Sequence, residues 1–132
     1  NFVDKIASKN NLKVIEISLR YKNCEKHKMF YEAGVEEFLS LIKYADFVVT
    51  NSFHCLIFAL LFKKNFYVFT RAHCNNKIYE LLSRLNLEDR LLHDNNAMND
   101  YDIDYTKVKV YLDKERIESQ TFLKNQLRTL CQ

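Results

Sequence analysis

Residues 47–69 contain three apolar segments in close succession, and they constrain the fold more than any other part of the chain. Residues 47–49 form a short, β-branched run typical of a buried strand. Residues 53–62 are apolar nearly all the way round, which predicts a helix buried on more than one face. The polar residues 63–65, which include two lysines, are expected to end that helix. Residues 66–69 return to strand character. The succession therefore predicts a βαβ unit with two parallel strands.

Weaker patterns on both sides extend this alternation. A helix is predicted at residues 2–6, a strand at 12–17, helices at 35–45 and 78–85, and a closing helix at 112–130. Residues 20–32, 70–76 and 94–104 are rich in polar groups and are predicted to be loops. Residues 103–110 fit either an extended or a helical start of the closing helix.

The predicted fold class is α/β, with a Rossmann-like parallel sheet and helices on both of its faces. A length of 132 residues suits one such domain, so residues 1–132 are expected to form a single α/β domain. The chain opens inside a helical pattern without an initiating methionine, which favours a piece of a longer protein. Ligands of such sheets bind beyond the carboxyl ends of the strands, so residues 50–54 and 70–77 are the loops expected to carry function.

Several classes of function are excluded by composition. Gly34 is the only glycine, whereas dinucleotide fingerprints and P-loops need several. A net charge of +3 with interleaved acidic residues does not favour nucleic-acid binding. The longest apolar run, residues 55–62, is too short to cross a bilayer. The chain has four cysteines and is long enough to form a core without disulfide bonds, so the cysteines are expected to be reduced. This predicts a cytoplasmic protein.

The turn at residues 50–54 is the strongest candidate site. A buried strand meets a helix N-terminus there, so unpaired amide hydrogens and the positive end of the helix dipole should favour an anion such as a phosphate or a carboxylate. Thr50, Asn51 and Ser52 add polar side chains, and His54 can hold a proton near neutral pH. The competing interpretation is that residues 50–52 only cap the helix and that His54 is a partly buried histidine whose hydrogen bonds are made within the protein.

Other constellations are weaker. The His-Cys pairs at residues 54–55 and 73–74, together with Cys24 and His27, suggest zinc, but their spacing suits a tetrahedral ion poorly, so no metal is expected. Cys55 beside His54 suggests a nucleophile, although a cysteine in an apolar helix is more often core packing.

Residues 45–54, ADFVVTNSFH, resemble the central signature of the polysaccharide pyruvyl transferase family. Residues 58–69 resemble the family's buried helix and the strand that follows it. Residues 75–90 resemble its next helix and the segment after that helix. The resemblance runs from Gly34 to Arg90. It implies the C-terminal half of a two-domain transferase that resembles GT-B glycosyltransferases.

The resemblance also implies an activity. The enzyme would transfer a pyruvate ketal from phosphoenolpyruvate to a sugar of a surface polysaccharide or of its precursor, with no further cofactor. His54 matches the family histidine proposed as general acid, and Thr50, Asn51 and Ser52 would hold the anion. The basic position matched by Lys77, with its neighbours Asn75 and Asn76 and with Arg71 as a second cation, would bind the leaving phosphate.

Two departures qualify this expectation. Ser52 stands where many members have arginine, and Cys55 stands where a small residue is common. The missing N-terminal domain is expected to complete the site, so this fragment alone should be inactive. A lipid-linked precursor as acceptor would bring the protein to the inner face of the membrane as a peripheral protein. The alternatives are a glycosyltransferase that uses nucleotide sugars and a non-catalytic binding or assembly domain.

Overall fold

A computed structural model describes residues 2–17, 28–30, 34–69, 75–92 and 102–130. The chain divides into two compact units, Asn1–Phe69 and Thr70–Gln132, which we call the first and second unit. Helices and parallel strands alternate, so the fold is α/β and Rossmann-like, as the sequence predicts. The expectation of one domain over residues 1–132 stays a prediction.

The first unit contains three helices and four strands among its described residues. In chain order these are α1 Phe2–Lys9, β1 Ile15–Ile17, β2 Lys28–Phe30, α2 Val35–Tyr44, β3 Phe47–Thr50, α3 Phe53–Leu61 and β4 Asn65–Phe69. Strands β1 and β2 pair in parallel, with Ile15 opposite Lys28. Strands β3 and β4 also pair in parallel, with Phe47 opposite Asn65 and Thr50 opposite Val68. The predicted βαβ unit is therefore confirmed.

Helix α3 packs into the core because its sequence leaves it no polar face. Leu56 and Ala59 are fully buried, and Phe66 and Val68 on β4 are buried to the same degree. The helix ends where Lys63 takes a left-handed conformation with φ of 53°. The N–H of Lys64 then donates to the carbonyl of Ala59 at 2.8 Å, which closes the helix and sends the chain into β4.

The second unit is largely helical in the residues described. It contains α4 Asn75–Arg84, a 3-10 turn at Glu88–Arg90, the two-residue strand β5 Leu91–Leu92, and α5 Tyr105–Leu130. Its buried apolar side chains extend up to the first turn of α5, where Val108 is 1% exposed. Every side chain at residues 113–129 is exposed.

The structure differs from the sequence predictions mainly at β2 and at the start of α5; in addition, β1 begins at Ile15 and α4 begins at Asn75, inside the predicted loop at residues 70–76. Strand β2 lies inside residues 20–32, which were predicted to be a loop. The sequence does not indicate this strand because three residues are too few to show a period. The other residues of that loop lie outside the described ranges. Helix α5 begins at Tyr105 rather than at residue 112, because Oδ1 of Asp104 accepts a hydrogen bond from the N–H of Thr106 at 3.0 Å and caps the helix. This settles the open choice at residues 103–110 for a helix from Tyr105 onward.

Candidate functional site

The turn between β3 and α3 lies at the carboxyl edge of the β3–β4 pair. Strand β3 ends at Thr50 and α3 begins at Phe53, which leaves Asn51 and Ser52 as the connection. The parallel register places Val68 beside Thr50, so the carboxyl ends of both strands lie at the same edge. This is the edge at which parallel α/β sheets bind ligands.

Two hydroxyl groups fix the shape of this turn. The Oγ1 of Thr50 accepts a hydrogen bond from the N–H of Ser52 at 3.0 Å. Ser52 is the N-cap of α3, and its Oγ accepts from the N–H of Cys55 at 3.5 Å. The carbonyl of Ser52 also accepts the first bond of the helix, from the N–H of Leu56 at 3.0 Å. Both hydroxyls therefore act as capping acceptors, which is the part of the competing interpretation that the structure supports.

Capping leaves two amide donors at the start of α3. The first N–H groups of a helix have no partner within it, and two of them here are taken by Thr50 and Ser52. Among the described residues, the N–H groups of Phe53 and His54 donate to no protein acceptor. They lie at the positive end of the helix dipole, so an anion placed there would receive two hydrogen bonds and a favourable field.

His54 carries its imidazole on the exposed side of this first turn. The side chain is exposed, and its ring makes an edge contact with the ring of Phe53 at 6.2 Å between centroids. The expectation of a partly buried, satisfied histidine therefore does not describe this residue. An exposed imidazole next to two amide donors can exchange a proton with a molecule held by those donors.

Cys55 is part of the core and not of this open surface. The residue is 8% exposed. Burial raises the pKa of its thiol, and a hydrogen bond with the Thr50 side chain opposes that rise only in part. The thiol therefore stays protonated at neutral pH, which favours packing over a nucleophilic role.

Two cavities of the first unit reach the turn. Their volumes are about 450 and 620 Å³, and both are lined by Thr50 and Asn51. The larger one is also lined by Ser52 and by Leu41 of α2. His54 lines neither cavity, so its ring faces solvent beside them.

The structure brings together four of the predicted site residues, namely Thr50, Asn51, Ser52 and His54, all in the first unit. The remaining ones belong to the second unit. Asn76 and Lys77 are exposed in the first turn of α4. Asn75 begins that helix, and Arg71 lies outside the described residues.

One buried charged cluster was not predicted from the sequence. Arg90 is 1% exposed, and its Nε lies 3.3 Å from Oδ2 of Asp89. Burial raises the pKa of Tyr105 well above its usual range, and the nearby positive charge of Arg90 opposes the rise. The sequence offers no periodic signal for this cluster because Arg90 belongs to a single 3-10 turn of three residues. Its burial within the second unit indicates a structural role.

The described ranges contain neither a candidate metal centre nor a helix able to span a membrane. No group of three or more His, Cys, Asp or Glu side chains is arranged to hold a metal ion there. The sequence pairs at Cys24 and at residues 73–74 lie outside those ranges. Among the helices described, none combines the length and the apolar character needed to span a bilayer.

Comparison with known families identifies the family to which the chain belongs. The family model for polysaccharide pyruvyl transferase matches residues 2–73, more than half of the chain. The chain belongs to the polysaccharide pyruvyl transferase family. No curated protein and no solved structure matched it.

The extent of this match bears on the predicted site of this pyruvyl transferase domain. It contains the whole turn from Thr50 to His54, and it reaches upstream of Gly34, where the recognised resemblance began. Arg71 lies within it, whereas Lys77 lies beyond its end. Within this turn, the amides without a protein acceptor among the described residues are those of Phe53 and His54, and the N-cap preference of Ser52 is the sequence signal that places them.

Proposed function

We propose that this pyruvyl transferase domain uses phosphoenolpyruvate as its donor and transfers the pyruvate to a sugar of a surface polysaccharide or of its precursor. The observation that carries the proposal is the start of α3, inside the region matched by the family. There, within the part of the chain that the structure describes, the amides of Phe53 and His54 have no protein acceptor, and the side chain of His54 is exposed. This arrangement provides an anion site and a proton source together.

The proposed reaction needs both features. A proton is added to the methylene carbon of phosphoenolpyruvate, which leaves positive charge on the carbon that bears the phosphate. One sugar hydroxyl attacks that carbon, and a second displaces phosphate by breaking the bond between carbon and the phosphate oxygen. The two hydroxyl protons balance the proton delivered to carbon and the proton carried by the phosphate. His54 supplies the first proton as general acid and regains one from a hydroxyl.

The amides of Phe53 and His54 hold the carboxylate or the phosphate of the donor in this scheme. Their hydrogen bonds are preorganised by the caps at Thr50 and Ser52, so they need no rearrangement when charge moves onto the phosphate. Asn51 is exposed in the same turn and is proposed to contact the substrate. The cations Arg71 and Lys77 are proposed to neutralise the leaving phosphate.

Replacing His54 tests the acid. In the full-length protein, His54→Gln is expected to lower ketal formation at least 100-fold, the usual size of a lost general acid, while phosphoenolpyruvate affinity changes only a few-fold. Ketal formation is followed by mass spectrometry and by phosphate release from phosphoenolpyruvate with a panel of nitrophenyl glycosides. The matched control is Lys63→Gln, an exposed residue just beyond the other end of α3.

Unchanged ketal formation in folded His54→Gln would refute the acid assignment. The donor is tested separately by calorimetric titration of the unaltered full-length protein with phosphoenolpyruvate and with UDP-glucose. Binding of the nucleotide sugar without binding of phosphoenolpyruvate would refute the donor and favour a glycosyltransferase.

A further inference from the structure

The smaller of the two cavities in the first unit lies beside the turn that begins α3. Its volume is about 450 Å³, which falls within the range of about 300–1,000 Å³ typical of small-molecule sites. The last residues of three strands line it, namely Ile17 of β1, Thr50 of β3 and Phe69 of β4. The cavity therefore reaches the edge at which parallel α/β sheets bind ligands.

Most of the wall of this cavity is apolar. Ile6 and Ala7 contribute to it from α1, and Phe47 and Phe69 add two half-buried aromatic side chains. The ring of Phe69 also makes an edge contact with the ring of Phe2, at 5.5 Å between centroids. A wall of this kind accepts the apolar face of a ligand, and a few polar groups then fix the orientation of that ligand.

Glu16 of β1 places a carboxylate in this apolar wall. Its side chain is half-buried, and it has neither a hydrogen bond nor an ion pair with any residue that the structure describes. Of the other acidic residues described in the first unit, Glu36, Glu37 and Asp46 are exposed, and Asp4 has a partner. A half-buried carboxylate without a partner is costly and keeps acceptor capacity that a ligand can use.

The cavity is continuous with the turn at which the donor is proposed to bind, because Thr50 and Asn51 line it as well. A molecule that fills the cavity and contacts Glu16 therefore also contacts this turn. Lys13 is the one cation in the described part of the wall. It is exposed and precedes β1, whereas Glu16 stands one residue before the carboxyl end of that strand. Negative charge therefore lies nearer to the end of the strand than positive charge does.

We propose that this cavity holds the acceptor sugar and that the carboxylate of Glu16 accepts hydrogen bonds from the hydroxyl groups of that sugar. The inference rests on the proposed function, since only a transfer reaction requires an acceptor. A neutral sugar suits both parts of the wall, because it offers hydroxyl donors together with the apolar face of its ring. Phosphoenolpyruvate does not suit it, because Glu16 would repel the carboxylate and the phosphate. The charge of Glu16 thus separates the acceptor from the donor, which the amides of Phe53 and His54 hold.

The test measures binding of the methyl glycosides of glucose, galactose, mannose and N-acetylglucosamine to the full-length protein by saturation-transfer NMR, without phosphoenolpyruvate. At least one of these glycosides is expected to bind. Glu16→Gln keeps the shape of the side chain but removes its charge, so the affinity should fall about fivefold, because hydrogen bonds to charged groups are the stronger ones. Ala7→Leu fills the cavity from α1 without changing its charge and should lower the affinity about tenfold.

The matched control is Glu36→Gln, the same change at an exposed residue of α2 that lines neither cavity. It should bind the glycoside within about twofold of the unaltered protein. In turnover, Glu16→Gln should raise KM for the glycoside about fivefold and change kcat by no more than about twofold, since Glu16 acts in binding. Its affinity for phosphoenolpyruvate, measured by calorimetric titration, should stay the same or rise. Circular dichroism should show unchanged helix content in all three variants.

Three results would overturn the proposal. The first is that none of the glycosides binds, and the second is that Glu16→Gln or Ala7→Leu keeps the affinity of the unaltered protein. The third is that Glu16→Gln weakens phosphoenolpyruvate as much as it weakens the glycoside, which would assign Glu16 to the donor. Glycoside binding that depends on Glu16, in a protein that does not bind phosphoenolpyruvate, would refute the proposed donor alone, so the two proposals fail separately.

Discussion

Changing Ser52 separates helix capping from anion binding, because the two roles respond oppositely to a negative charge. In Ser52→Ala the Oγ that accepts from the N–H of Cys55 is lost. That bond is long at 3.5 Å, so the cost should be at the low end of the capping range, about 0.5–1 kcal/mol of unfolding free energy. In Ser52→Asp an acceptor remains, and the added charge favours the helix dipole by about 0.3–1 kcal/mol. The stability of Ser52→Asp should therefore equal or exceed that of the unaltered protein.

Donor binding should move the other way in Ser52→Asp. An anion held by the amides of Phe53 and His54 would lie within about 5 Å of the introduced carboxylate, and each pair of charges at that distance repels by about 0.8 kcal/mol in water. Since phosphoenolpyruvate carries at least two negative charges, its affinity should fall about tenfold or more. Urea unfolding measures the stability, and calorimetric titration of the full-length protein measures the affinity.

The same serine-to-aspartate change at exposed Ser119 on α5 controls for added charge and should leave donor affinity unaltered. Phosphoenolpyruvate binding of unchanged strength in folded Ser52→Asp would show that the donor is not held at the start of α3. A Ser52→Ala variant as stable as the original would show that the capping bond contributes nothing.

Two further predictions concern the cores that support the two units. Leu56→Ala removes a side chain that is 0% exposed and should lower the free energy of unfolding in urea by about 2–5 kcal/mol. The control Leu61→Ala, at 59% exposure, should change that free energy by no more than about 0.5 kcal/mol. Similar losses at both positions would contradict the packing of α3. Because burial raises the pKa of Tyr105 in the folded state, the unfolded chain loses that proton first as pH rises, and stability should fall at pH values above the ordinary tyrosine pKa of about 10. Tyr105→Phe should reduce this fall in unfolding experiments across that range, and an unaltered pH profile would contradict the burial of the hydroxyl.

The first unit could be predicted well because its signals are local and agree with one another. The apolar runs on either side of Ser52 set β3, α3 and β4, and Ser52 itself marks the helix start. By contrast, β2 was missed because three residues carry no period, and its strand character comes from pairing with β1. The early start of α5 has a sequence signal in Asp104, a residue type favoured at helix N-caps.

The sequence predicts which turn forms the candidate site. The hydrogen-bond partners within that turn follow only from the three-dimensional structure. Sequence spacing indicates that a helix N-terminus follows Thr50, but it does not assign each amide to a partner. In the structure, the N–H groups of Ser52 and Cys55 donate to hydroxyl oxygens, and those of Phe53 and His54 have no acceptor among the described residues. Burial likewise distinguishes Cys55 from its neighbour His54, which composition alone treats as a candidate pair.

The capping hydroxyls and the free amides serve one purpose, because a donor site works only if it holds its shape before the ligand arrives. Thr50 and Ser52 occupy the two amides that would otherwise compete with Phe53 and His54 for an anion. An anion at this turn therefore meets a pair of donors on adjacent residues, with the His54 ring on the second of them. Helix capping and anion binding are consequently complementary at this turn, and removing the caps should loosen the same amides that the donor requires.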